Sequence, residues 1–322
     1  MEAEHREIPT AGIILKAAER IRPYINHTPV LTSNTIDRIS GASCFFKCEN
    51  LQKVGAFKAR GATNAVFSLD DFLLPKGVAT HSSGNHAQAL SWAASLRGTQ
   101  AYIVMPSNSS RVKVDAVRDY GGQITFCEPT LTARETTLQM VMERTKATEI
   151  HPYNNPEIIA GQATAALELL EEMKTADIIL APVGGGGLLS GTALSVHYFS
   201  PGTMVIAAEP DQANDAFLSF SQKKIIPSEH PDTIADGLRT SLGSMTFPVI
   251  LNHVHSIVTV SEESIIRAMH FVWERMKIII EPSSAVPVAV LLEKKIETKG
   301  KRIGIILSGG NADLSDLPWI KK

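Results

Sequence analysis

The chain has 322 residues, 44% hydrophobic and 20% charged, with a formal net charge of −2. That composition excludes a disordered chain, and the charge balance leaves neither a basic field for nucleic acid nor a polybasic membrane patch. Cys44, Cys48 and Cys127 are too few, and odd in number, for a disulfide framework; no second Cys/His pair joins Cys44 and Cys48 in a zinc site.

The first seven residues are polar and acidic, unlike a signal peptide, and no apolar run approaches a membrane span. A cytoplasmic location is expected, and the sequon Asn26-His27-Thr28 reads as chance. In chain order, a strand is predicted at 45–49 and another at 77–81, followed by a helix at 85–96. Strands at 101–105 and 123–127 come next, then helices at 131–146 and 156–173. The strand 178–183 leads into a helix at 188–198; strands at 204–208 and 256–260, a helix at 262–276 and a strand at 303–307 complete the series. Residues 222–232 are polar and contain a proline, which reads as a surface loop. Several of the strands are continuous apolar runs, as in strands buried on both faces, and their alternation with helices predicts a parallel α/β fold. The expected organisation is a smaller domain at 77–150, inserted into a larger one built from 1–76 and 151–322.

Four segments carry chemistry. Gly184-Gly185-Gly186-Gly187 lies between an apolar strand and a helix, which aims bare N–H groups and a positive dipole end at a phosphate. The simpler reading is a tight turn, but consecutive glycines cost backbone entropy that a turn alone does not require. A dinucleotide site would use Glu209 on the ribose; Leu189 or Ser190, however, stands where the third fingerprint glycine belongs. Ser82-Ser83-Gly84-Asn85-His86 follows a strand and opens a helix, where it serves as a helix cap or as a carboxylate site. Ser308-Gly309-Gly310-Asn311 ends a buried strand, either as a simple turn or as a ligand contact at the carboxyl end of a parallel sheet. Lys58, in Gly55-Ala56-Phe57-Lys58-Ala59-Arg60-Gly61-Ala62, supplies an amine among small residues that can form a Schiff base. These are the parts needed to hold pyridoxal phosphate. Separately, Glu209, Asp211 and Asp215 cluster in one segment, as a site for a hard cation or as an acid-rich helix start.

Together these motifs resemble the fold-type II pyridoxal-phosphate enzymes, in particular the serine racemase and serine/threonine dehydratase group. The likeness also includes Thr28-Pro29-Val30, Ala160-Gly161-Gln162 and Thr233-Ile234-Ala235-Asp236-Gly237, and so runs over nearly the whole chain. It implies two open parallel α/β domains with the cofactor between them, and a smaller, mobile domain that closes over substrate. Lys58 is implied as the carrier of pyridoxal phosphate, Gly184, Gly185, Gly186 and Gly187 as its phosphate cradle, with Phe57 beside it. Asn85 is implied at the ring hydroxyl and Ser308 at the pyridine nitrogen, where a hydroxyl makes a weaker electron sink than an aspartate would. Ser82, Ser83, Gly84, Asn85 and His86 are implied for the substrate carboxylate, and Arg134 and Thr240 for its distal end.

The resemblance further implies Lys58 and Ser83 as proton carriers on opposite faces of the substrate. Racemisation then competes with β-elimination at one site. Glu209, Asp215 and the Ala213 carbonyl are implied ligands of Mg²⁺, or of Ca²⁺ or Mn²⁺. A homodimer is implied, and ATP as an activator finds matching residues at Ser33, Lys53, Gln88, Tyr120 and Asn311, though not at Val54 or Thr35. Ala56, Ala163 and Tyr153 depart from common family residues. The rival activity within the group is a dedicated serine/threonine or 3-hydroxyaspartate dehydratase. From other classes, the presence of Lys58 and Ser83 disfavours a catalytically silent binding protein, and the missing third glycine disfavours a nucleotide-dependent oxidoreductase.

Overall fold

The computed structural model describes residues 7–82, 84–109 and 111–320. Among the described residues, ten strands form two sheets. The first strands are β1 (Val30–Thr32), β2 (Ser43–Cys48), β3 (Val78–His81), β4 (Ala101–Pro106) and β5 (Gln123–Cys127). The remainder are β6 (Thr148–Glu149), β7 (Ile178–Pro182), β8 (Met204–Pro210), β9 (Ser256–Val260) and β10 (Arg302–Leu307). The helices are α1 (Ala11–Ile21), α2 (Asn34–Ser40), α3 (Lys58–Phe67), α4 (Asn85–Arg97), α5 (Arg111–Asp119) and α6 (Leu131–Thr145). They continue with α7 (Pro156–Met173), α8 (Gly187–Phe199), α9 (Asp215–Gln222), α10 (Thr246–His253), α11 (Glu262–Met276) and α12 (Pro282–Leu292).

The larger sheet has the order β1-β2-β10-β7-β8-β9, parallel except for the antiparallel edge strand β1. Its strands alternate by twos: Ile303, Ile305 and Leu307 of β10 enter one core with α11 and α12, while Ile306 enters the opposite core with α7 and α8. Gly304 is required on that second face, because a Cβ there would meet Ile179 at 2.5 Å and Leu169 at 2.9 Å. The smaller sheet, β5-β4-β3-β6, is wholly parallel. One of its faces packs on α3, α4 and α5 through Leu90, Val114 and Val117, and the other on α6 through Leu138 and Val141.

Local signals explain several boundaries. Asn155 caps α7, its side chain accepting from the Glu157 and Ile158 amides at 2.9 and 3.1 Å, with Pro156 in the first turn. Ser261 caps α11 in the same way through Ser264. The helices α1, α2, α3, α5, α10 and α12 and the short strands β1 and β6 lie outside the predicted elements, while α9 begins at Asp215, in the segment expected as a cation site or an acid-rich helix start. The predicted strand at 77–81 begins one residue later, because Gly77 takes φ +83° and ends the preceding turn.

Candidate active site

Lys58 opens α3, and its position is set from two sides. The Phe57 amide donates to the Ser308 carbonyl at 2.9 Å, and Ala56 bridges Gly309, which ties the start of α3 to the end of β10. Behind it, α3 crosses α7 at glycines: a Cβ on Gly161 would stand 2.7 Å from the Gly61 Cα. The same first turn is locked by Arg60, which is fully buried. Its guanidinium donates to both Glu49 oxygens at 2.7 and 2.8 Å and to both Glu168 oxygens at 2.7 and 2.8 Å. Buried Lys47 adds a third contact to Glu168 at 2.7 Å. Such bidentate charged pairs are directional, so they fix α3 in rotation as well as depth.

The Lys58 Nζ donates to the Pro152 carbonyl at 2.7 Å and lies 5.1 Å from the Phe57 ring centroid. Burial pushes its pKa down to about 7, the charge of Glu281 pulling the other way. The amine faces a cleft of about 510 Å³ between the two sheets, a volume suited to a small cofactor and substrate.

The glycine loop forms one wall. A Cβ on Gly184 would meet the Leu238 Cα at 2.9 Å, and one on Gly185 would meet the Tyr153 ring at 2.3 Å. Gly186 has φ +88°, and its Cβ would meet Thr246 at 2.8 Å; one on Gly187 would meet the Gln162 Oε1 at 2.8 Å. The Thr246 hydroxyl donates to the Gly185 carbonyl at 2.8 Å and so holds the loop's shape. Both polar atoms of the Gln162 side chain are buried and have no partner. A cradle with no room for side chains, at the amino end of α8 and beside an orphaned amide, fits a phosphate group.

Ser308 ends β10 with its hydroxyl 3.1 Å from that of Ser284. Opposite it, Asn85 donates to both Glu281 oxygens at 2.9 and 3.1 Å and accepts from the Asn311 amide group at 2.8 Å. Burial, joined by the charge of Asp236, pushes the Glu281 carboxyl up to about 7, while Asn85 opposes the rise. Glu281 was missed in the sequence. The only signal was an acid ending an apolar run immediately before Pro282.

Ser82, Gly84, Asn85 and His86 line the cleft together with Lys58. Ser82 accepts from the Gly84 amide at 3.3 Å, and His86 bonds the Ile150 carbonyl through Nε2 at 3.0 Å. Ser83 lies outside the described residues. Burial, reinforced by Lys58, holds His86 well below the usual imidazole range. His81 and His151 are likewise pushed down by burial, to about 4 and about 3. His151 Nδ1 accepts from the Tyr153 and Asn154 amides at 3.3 and 2.9 Å, which assigns its proton to Nε2. Arg134 and Thr240 line the cleft, and the Arg134 Nε is buried without a partner.

The two implied metal-binding carboxylates lie away from the cleft lining. Both Glu209 oxygens accept amides, from Ala216 and Phe217 at 2.8 Å each, at the start of α9. Asp215 is buried beside Glu209, with the Ser228 side chain and its own backbone amide the polar groups that favour its charged form. Burial pushes Glu209 up to about 9 and Asp215 up to about 6. Among the described residues no three His, Cys, Asp or Glu side chains form a metal cluster. Cys44 and Cys48 are buried thiols, pushed up by burial to about 11 and about 12. No helix among the described residues is long and apolar enough to cross a membrane.

The family model described as "Pyridoxal-phosphate dependent enzyme" matches residues 21–309. The chain belongs to this family. It is a pyridoxal-phosphate dependent enzyme of fold type II, and the glycine cradle and the Lys58 amine fit that cofactor. The chain is similar to a β-hydroxyaspartate dehydratase from Paracoccus denitrificans, 51% identical over 97% of this chain and 99% of that protein. It is also similar to the serine racemase of Dictyostelium discoideum, 49% identical over 97% of this chain and 99% of the relative. The solved structure of maize serine racemase superposes with a TM-score of 0.94 at 44% identity, covering 96% of this chain and 95% of the other.

Proposed function

We propose that the protein is a serine racemase that interconverts L- and D-serine and also eliminates water from serine, with threonine as a second substrate, to give a 2-oxo acid and ammonia. The observation that carries this reading is the Lys58 amine, held by the Pro152 carbonyl at 2.7 Å in the same cleft that the glycine cradle lines; burial also lowers its pKa to about 7 against the opposing pull of Glu281. An amine with that pKa is a competent base at neutral pH.

Bound pyridoxal phosphate supplies the electron sink that makes the substrate's α-hydrogen acidic. Lys58 would carry the cofactor, Gly184 to Gly187 would cradle its phosphate, Phe57 would lie beside it, and Asn85 and Ser308 would take its ring hydroxyl and ring nitrogen. Ser82, Ser83, Gly84, Asn85 and His86 take the substrate carboxylate, with Arg134 and Thr240 at the distal end. Lys58 takes the α-proton from one face. Ser83 returns a proton from the other, inverting the centre. When the β-hydroxyl instead leaves before that return, as water with the proton that Lys58 removed, the enamine product hydrolyses to the 2-oxo acid and ammonia. The neutral histidines around the 82–86 segment add no positive charge beside Lys58, which helps its amine stay unprotonated.

The segment 77–150 is the mobile cover in this reading, and 1–76 with 151–322 the cofactor-binding body. Mg²⁺, or Ca²⁺ or Mn²⁺, would be held by Glu209, Asp215 and the Ala213 carbonyl; the closeness of these two buried carboxylates, each pushed up by burial and Glu209 also by the Asp215 charge, supports this, since a cation would offset both charges. ATP acts as an activator at Ser33, Lys53, Gln88, Tyr120 and Asn311. The Asn311 amide group, which donates to the Val54 carbonyl and to Asn85, gives that site a path to the cleft. The assembly is a homodimer, which light scattering on the purified holoenzyme would test.

Incubating the holoenzyme with L-serine and separating serine enantiomers and pyruvate tests the main reading. D-serine in quantity supports it; pyruvate alone would leave a dehydratase. A dehydratase of 3-hydroxyaspartate is the second reading, favoured by the unpartnered Nε of Arg134 in the cleft, which suits a second carboxylate. A kcat/KM for 3-hydroxyaspartate far above that for serine would establish it.

A further inference from the structure

Lys113 and Asp236 reach the cleft from opposite sides. Lys113 lies in the first turn of α5, whose Val114 and Val117 belong to the core of the smaller sheet. Asp236 opens the turn Asp236–Leu238, whose Leu238 belongs to the core of the larger sheet and whose backbone lies against Gly184. The two side chains form an ion pair across 123 residues of sequence, and both line the cleft. Neither was singled out as a site residue in the sequence.

The pair sits where its making or breaking reaches the substrate side. The helix α5 packs on α4, and α4 begins at Asn85, within the segment expected to bind the substrate carboxylate. On the other side, the Asp236 turn presses on the first glycine of the phosphate cradle. The side chains are 25% and 43% exposed, so the pair is screened by salt and reversible, unlike the buried Arg60 pairs. A contact of that kind fastens two layers without welding them.

We propose that the Lys113–Asp236 ion pair is a clasp that holds the smaller sheet over the cofactor cleft and positions the start of α4, with Asn85 and His86, for substrate. Both are positioning residues and touch no reacting atom. Glu281 and Asp313 also feel the Lys113 charge, so a lysine released from Asp236 has other carboxylates near it. The link to turnover rests on the reading that substrate binds at the 82–86 segment. The fastening itself does not.

The test uses holoenzyme carrying D236N, K113D, D236K and the charge-swapped pair K113D/D236K. Amide hydrogen exchange across α5 is read alongside KM and kcat for L-serine. A partly exposed pair predicts about twofold to fivefold faster exchange and a similar rise in KM for each single variant, with kcat little changed. The swapped pair returns both readouts toward wild type, and raising salt moves wild type toward D236N. The variant D236N places no new charge beside Glu281, and so separates loss of the clasp from local repulsion. Wild-type exchange in all single variants, or a swapped pair no closer to wild type than its parents, overturns the proposal. The exchange pattern in a protein that does not turn over serine leaves the clasp standing and removes the proposed activity.

Discussion

The Lys58 amine donates a 2.7 Å hydrogen bond to the Pro152 carbonyl, and the residue after that carbonyl, Tyr153, lies over Gly185 of the phosphate cradle. One short segment thus receives the amine and covers the site beside it. The carbonyl can accept from the amine in either protonation state, so it fixes position, while burial is the main cause of the lowered pKa of about 7, with Glu281 opposing.

Lys58→Ala is expected to abolish the visible absorbance of bound cofactor together with racemisation and elimination. In the wild type, the fraction of base form rises as pH passes through about 7, so kcat should rise between about pH 6 and pH 8 and then level off. Steady-state rates across that range check the sign. A rate that falls over the same interval would remove Lys58 as the base.

Gly185→Ala tests the cradle. The added methyl would overlap the Tyr153 ring at 2.3 Å, so either the ring or the loop must shift. Cofactor affinity, measured by titrating apoenzyme, should drop at least tenfold, equivalent to about 1.4 kcal/mol. Adding Tyr153→Ala should recover part of the loss, because it removes the atoms that the methyl meets.

How much of this was legible in the sequence differs by element. The strand at 303–307 and the glycine loop were readable because a buried parallel strand is a continuous apolar run and a cradle needs bare backbone. The helix that carries Lys58 was not. Residues 59–66 are all buried, so the helix shows no polar face to give a period. The helix α12 is hidden for the same reason, with nine of its positions buried. The strand β1 has three residues and β6 two, too short for any alternation. Glu281 meets Asn85 across 196 residues, a pairing that only the folded chain reveals.

Arg60→Ala should destabilise the protein by about 3–5 kcal/mol, since it takes from buried Glu49 its only ion-pair partner among the described residues and leaves partly buried Glu168 with Lys47 as its close cation. Burial tends to raise the Glu168 carboxyl, but hydrogen bonding and charge from Arg60 and Lys47 outweigh it and hold it below the usual range. Its contribution to stability is therefore present above the ordinary carboxylate pKa and is lost as pH falls through the lowered one. Denaturant melts of wild type and variant across acidic pH check both the size and the sign.

Chelation tests the cation. Without one, Glu209 at about 9 and Asp215 at about 6 are carboxyls that folding prefers to keep protonated. Their favourable share of stability is complete below about pH 4 and is lost as pH rises through those raised values. Thermal melts of chelated protein should therefore fall from mildly acid to alkaline pH, and Mg²⁺, Ca²⁺ or Mn²⁺ should flatten that fall. Asp215→Asn should abolish the response to the cation.

The most direct measurement compares wild type with Ser83→Ala on L-serine, quantifying D-serine by chiral chromatography and pyruvate in the same samples. The account predicts D-serine and pyruvate from the wild type, and pyruvate with D-serine formation suppressed from the variant. Unchanged D-serine formation in Ser83→Ala, or none from the wild type, would contradict proton transfer on two faces.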